Sequence, residues 1–143
     1  MRLACPEEPG VPLHAVQRGP AACFSGARDC LAYLEGLREC AARDQCAVHA
    51  YALMSNHVHL LLTPARPGGV TRLMRSAAVC YNRYLAKAYG HEGAIWEEGF
   101  DGSPVHVRRY LFACMRYVET NPLRAALVRE AGAYRWSSFR ANA

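Results

Sequence analysis

Tyr51-Ala52-Leu53-Met54-Ser55-Asn56-His57-Val58-His59-Leu60-Leu61-Leu62-Thr63 is the stretch on which the reading of this fold turns. In a β-strand, residues i and i+2 share a side about 6.5 to 7 Å apart, so a strand from His57 would aim both imidazoles at one point. Val58, Leu60 and Leu62 suit a buried sheet and would fix the strand by its core side while the histidines look outward. Ala47 to Leu53 reads as the preceding strand, and Met54-Ser55-Asn56 as the short turn between antiparallel neighbours. The histidines then stand at the start of the second strand of a hairpin, near a loop edge. Such a pair can hold a metal ion, or it can be two polar residues on a solvated face; spacing alone leaves both open.

Working outward, Leu13 to Arg18 is a short strand candidate ending at Gly19-Pro20. Ala27 to Ala42 carries Leu31, Leu34, Leu37 and Ala41 at helical spacing. Beyond the hairpin, Pro64 to Gly69 is a turn, and Val70 to Tyr89 is a long helix with Leu73, Ala77, Tyr81, Tyr84 and Ala88 along one side, closed by Gly90. Ala94 to Phe100 or Pro104 to Val107 supplies a last strand, and Arg108 to Thr120 a further helix that stops near Asn121-Pro122. The order β-α-β-β-α-β plus a terminal helix predicts an α+β fold of the ferredoxin-like, split βαβ kind: an antiparallel sheet with helices on one face. Residues 1–143 read as a single domain.

With 52% apolar residues the chain can build a real core, and no 18-residue apolar run or secretory leader occurs. A soluble cytoplasmic protein with no membrane attachment is expected. The net charge of +5 is compatible with a polyanionic partner without requiring one. Seven cysteines without a C-x-x-C pair indicate neither a disulfide framework nor a zinc ribbon. They read as reduced, apolar packing residues, with a zinc cluster of Cys40, Cys46 and His49 as a minor alternative.

The terminal helix brings a second constellation. Tyr117 and Asn121 are four apart, one above the other on one helical face. Leu111, Met115 and Val118 form another face that would bind the helix to the sheet, leaving Tyr117 and Asn121 along the surface. Packing for the tyrosine and helix termination for the asparagine are the alternative roles.

Taken in order, Ala50 to Leu62, Tyr81-Asn-Arg-Tyr84, Gly93-Ala-Ile-Trp96, Arg116-Tyr-Val-Glu-Thr-Asn-Pro-Leu-Arg124 and Trp136-Ser-Ser-Phe139 resemble the successive motifs of the single-tyrosine HUH transposases, and within them the REP-associated tyrosine transposases, or RAYT proteins. The resemblance spans about Leu13 to Arg140. It implies an HUH endonuclease that cleaves and rejoins single-stranded, hairpin or palindromic DNA through a 5′-phosphotyrosine. By motif position His57 and His59 are metal ligands, Tyr117 is the nucleophile, and Asn121 completes the metal shell. Two imidazoles and an amide oxygen leave open positions, which suits Mg²⁺ or Mn²⁺ better than a closed structural zinc. Because the phosphotyrosine keeps the energy of the broken bond, no nucleotide cofactor is needed, and no G-x-x-x-x-G-K-[ST] loop is present.

Arg18, Arg72, Arg75, Arg83, Arg116 and Arg124 are candidates to contact phosphates, and Tyr84 and Trp96 to stack on unpaired bases. The chain also departs from the family pattern. Ser55 replaces a proline before the histidines, Glu97-Glu98-Gly99 stands where a basic residue is usual, and Pro20-Ala21-Ala22 follows Arg18-Gly19 without the usual polar residues. Acidic side chains repel phosphate, so a catalytically weak DNA-binding derivative is the alternative to an active enzyme, and a scaffold that merely shares the fold is a third possibility. The tyrosine follows the last strand without a long linker, which favours a monomer with its site built in cis over a homodimer.

Overall fold

The computed structural model describes residues 7–106, 109–120, 122 and 136–138. Seven elements follow one another: β1 (Leu13–Arg18), α1 (Ala27–Arg43), β2 (Cys46–Leu53), β3 (His57–Pro64), α2 (Gly69–Tyr89), β4 (Asp101–Pro104) and α3 (Arg109–Glu119). The four strands form one antiparallel sheet in the order β2-β3-β1-β4. β3 pairs with β1 on one side and β2 on the other, so it splits the β1-α1-β2 crossover. This is the α+β, ferredoxin-like arrangement. The last strand is Asp101–Pro104, between the two segments expected to supply it.

Alternation along β3 builds two cores. Val58, Leu60 and Leu62 face α1 and α2 and are fully buried with Leu13, Ala15 and Leu53. Each side chain of this size contributes about 1.5–3 kcal/mol when withdrawn from water. Leu61 points the other way and packs with Ala50, Ala52, Met54 and Val118, flanked by Leu111, Cys114 and Met115. The expected helix-on-one-face packing therefore describes α1 and α2, and α3 covers part of the opposite face with the apolar stripe read from its sequence. Ala50 and Ala52 are small enough to let α3 lie close to β2.

α1 turns inward a face that keeps Leu37 and Ala41 of the expected stripe, with Leu34 at its margin, but leaves Leu31 outside. Cys30, Tyr33, Leu37, Cys40 and Ala41 are buried, whereas Leu31 is 52% exposed. Cysteine and tyrosine are core residues here because α2 and Trp96 come down on that side. Phe24, Tyr33, Tyr81 and Trp96 interlock with ring centroids 5.3–6.1 Å apart. Buried Asp29 ties the two helices together, accepting from Ser25 N and from the hydroxyls of Tyr84 and Tyr89, all at 2.7 Å.

α2 is closed at both ends. The Glu7 carboxylate accepts from Val70 N, Thr71 N and Thr71 Oγ1 at 2.7–3.1 Å, placing a negative charge at the helix N-terminus. Gly90, at φ 69°, ends the helix in the left-handed conformation and donates to Ala86 O and Leu85 O. The cysteines Cys23, Cys30, Cys40, Cys46, Cys80 and Cys114 are free thiols, as read. His49 bonds Thr63 Oγ1 at 2.7 Å, and no group of three His, Cys, Asp or Glu that could hold a metal occurs among the described residues, so the Cys40-Cys46-His49 zinc alternative has no support.

Candidate active site

The second face of the sheet holds the candidate site. His59 is central: its partner on β1 is Val16 and its partner on β2 is Ala52. That position, under α3, makes it 5% exposed, so it does not look out to solvent as the strand pattern predicts. His57 lies at the strand's open end, opposite Arg18, and is half-buried. The two imidazoles are 4.9 Å apart between ring centroids, edge to face.

α3 brings Tyr117 to the same place. Its ring centroid is 6.4 Å from that of His59, and the side chain is 50% exposed. Val118, the next residue, is fully buried, so the helix is clamped on its sheet side while the phenol faces the histidines at the rim. A second clamp lies at the helix C-terminal end. Glu119 is buried, and Ser138 Oγ donates to its Oε2 at 2.6 Å while accepting from Tyr51 N at 2.8 Å. Leu53 N also donates to Trp136 O, and Ala52 bridges Ser137, so residues 136–138 run along β2 and fasten α3 to it. The Trp136-Ser-Ser-Phe139 motif thus has a structural task at its described positions.

One participant went unread in the sequence. His14, on β1, lies near both the pair and the phenol: its Nε2 is 3.1 Å from His59 Nδ1, the two rings are nearly coplanar with centroids 5.3 Å apart, and Tyr117 stands edge-on at 5.8 Å. The signal available was parity, since His14 shares a side with Val16 and Arg18. Only the β1–β3 register shows that this side carries His57 and His59. Desolvation lowers the pKa of His14; it also lowers that of His57, with the charge of Arg18 as a smaller cause. Neutral imidazoles are the form in which histidine binds metal.

His57 and His59 are the residues here that could hold a divalent ion; among the described residues no group of three His, Cys, Asp or Glu is arranged to do so, so a further ligand would have to come from elsewhere. His57 Nδ1 is 2.9 Å from Asn56 Oδ1, a contact that suits a proton on Nδ1 and would leave Nε2 with its lone pair. Two histidines alone leave most of a coordination shell open, as a catalytic site requires. Asn121, the expected third ligand, and Arg124 lie outside the described residues.

The remaining expected DNA contacts divide by face. Arg18 and Arg116 are exposed on the histidine side, and Arg18 Nε is 3.9 Å from Asp101 Oδ2. Arg72, Arg75 and Arg83 are exposed on α2, which packs on the opposite face, so they do not border the histidine–tyrosine site. One stacking assignment needs correction. Trp96 is 6% exposed within the aromatic core, because the 94–100 segment folds in under α2; its face is not open to a base. Tyr84 is stacked on Tyr81, and its hydroxyl is committed to Asp29.

Residues 22–121 match the family model described as "Transposase IS200 like". The chain belongs to that family. A solved structure of a REP-associated tyrosine transposase bound to a REP hairpin superposes with a TM-score of 0.82 at 12% identity, covering 99% of this chain and 84% of that one. A protein from Deinococcus radiodurans R1, held to be a transposase, superposes with a TM-score of 0.55 at 17% identity, covering 84% of this chain and 97% of that one. No curated protein matches the sequence. At these identities the structures establish a shared fold. Among the described residues, no helix of this IS200-like transposase is long and apolar enough to cross a membrane.

Proposed function

We propose that this IS200-like transposase is a metal-dependent endonuclease and strand transferase of the REP-associated type, acting on single-stranded or hairpin DNA. The observation that carries this reading is the approach of the Tyr117 ring to within 6.4 Å of His59, from an element remote in sequence. Packing alone gives no reason to bring a half-exposed phenol to three imidazoles.

The chain's residues divide the work. The Tyr117 oxygen attacks the scissile phosphorus and loses its proton; a phosphotyrosine bond forms, and the 3′ oxygen leaves with the bonding pair and takes up a proton. A 3′ hydroxyl of another strand reverses the step and releases the tyrosine. His57 and His59, with Asn121, would hold Mg²⁺ or Mn²⁺. The ion supplies charge that offsets the negative phosphate and lowers the cost of deprotonating a phenol near pH 7. Arg18, beside His57, is placed to receive a backbone phosphate.

The catalytically weak DNA-binding reading draws on one feature: Asp101 stands 3.9 Å from Arg18, so part of that cation's attraction for phosphate is already spent. One experiment separates the two. Labelled hairpin-containing single strands with Mn²⁺ are expected to give an SDS-stable protein–DNA adduct that Tyr117→Phe abolishes. Binding without an adduct at any Mn²⁺ concentration favours the binding protein, and an adduct that survives Tyr117→Phe assigns the nucleophile elsewhere.

A further inference from the structure

We propose that His14 is the positioning residue that holds His59 in the tautomer able to bind a divalent ion, as Asn56 does for His57. The inference rests on the reading of the histidine pair as metal ligands, and extends it to a residue that no motif includes.

Two imidazole nitrogens 3.1 Å apart share one proton. If His14 Nε2 were the donor, His59 Nδ1 would accept and the His59 proton would sit on Nε2, where it blocks coordination. If His59 Nδ1 donates, its Nε2 keeps a lone pair. The same polarity suits His57, whose Nδ1 lies 2.9 Å from Asn56 Oδ1, a contact compatible with a proton on Nδ1 and an available Nε2. Both rings can serve one ion through Nε2 only if His14 accepts from His59, with its own proton on Nδ1.

The surroundings hold this arrangement in place. His14 lies beside His59 nearly in one plane, with an interplanar angle of 20° and centroids 5.3 Å apart, the geometry an in-plane N–H···N bond needs, and Tyr117 stands against its edge. Its strand is paired on both sides, with Leu61 opposite on β3 and Ser103 opposite on β4. The site is thus set before an ion arrives. A ligand ring whose second nitrogen is engaged loses less orientational freedom on coordination and is more basic.

The test uses the full chain, labelled with ¹⁵N-histidine and without metal, at a pH where the imidazoles are neutral. Long-range ¹H–¹⁵N correlations report which nitrogen of each ring carries the proton. His57 and His59 are both expected as the Nδ1–H form. His14→Leu should shift His59 toward the Nε2–H form and weaken Mn²⁺ binding about 10- to 100-fold. His14→Gln, whose Oε1 reaches about as far as the imidazole Nε2, should restore the tautomer and most of the affinity. An Nε2–H form of His59 in the parent protein, an Mn²⁺ affinity that His14→Leu leaves within about twofold, or a Gln variant as defective as the Leu variant each overturns the proposal. So does a diamagnetic Zn²⁺ titration that shifts His14 Nε2 as strongly as the His59 resonance, since His14 would then be a ligand itself. If the leucine variant does not fold, the parent tautomer and the Gln variant still decide. Correct tautomers and tight Mn²⁺ binding without a DNA adduct would leave this inference standing and remove strand cleavage alone.

Discussion

Replacing Ser138 by Ala deletes one oxygen and cuts two bonds at once, the donation to Glu119 Oε2 at 2.6 Å and the acceptance from Tyr51 N at 2.8 Å. Ser138 and Glu119 are 5% and 4% exposed, so water replaces the lost hydroxyl poorly. A hydrogen bond to a charged group contributes about 1.5–3 kcal/mol and a neutral one about 1. The expected loss is therefore about 3 kcal/mol. At about 2–4 °C per kcal/mol for a chain of this size, Tm falls by about 6–12 °C in circular dichroism melts. Glu119 is two residues beyond Tyr117, so the same change should slacken the helix that carries the proposed nucleophile. At 20 °C, where the variant remains folded, the adduct should form more slowly while Mn²⁺ affinity is unchanged, because both histidines belong to β3. A Tm within about 1 °C of the parent, or an adduct rate that does not move, would refute the clamp.

Three further outcomes test the assignments by face. Burial lowers the pKa of His14, His49 and His57, so the fold favours their neutral forms and the unfolded chain takes up protons first as pH drops through about 6.5. Metal-free stability should be full above that pH and decline below it, and His49→Gln, away from the site, should remove part of the decline; a Tm that rises on acidification contradicts the sign. Trp96→Ala should cost about 3–5 kcal/mol in denaturant unfolding, as for other buried aromatics, and loss of DNA affinity without loss of stability would restore Trp96 as a stacking platform. Arg18→Ala should reduce the slope of log affinity against log salt by about 1, whereas Arg83→Ala on the opposite face should leave cleavage-site binding unchanged in fluorescence anisotropy.

Where local periodicity decides a feature, it was legible. The hairpin, α1, α2 with its closing Gly90, and the apolar stripe of α3 follow from two-residue and 3.6-residue repeats, and the split crossover follows from their order. The histidine pair was legible for the same reason. Features set by which strand lies beside which were not. His14 shows only a parity until β1 is laid against β3. His59 looked solvent-facing because nothing in its strand reveals that α3 covers that side. Trp96 looked available because the segment before β4 has no periodic signal to show that it tucks beneath α2. The arginines of α2 were assigned to a helix correctly, but which face of the sheet they border was not legible, since a helical stripe does not state which layer its helix joins.

Among the described contacts, α3 is held by a small apolar cluster and by the Glu119–Ser138 link, whereas the imidazole pair is built into the most deeply buried strand. The two halves of the chemistry therefore differ in detachability. Units of a fold can open at a free energy below that of global unfolding. An attacking group on a hinged part and an ion cradle on a fixed one would let a covalently held strand be carried away from the cradle and returned to it with the scaffold intact.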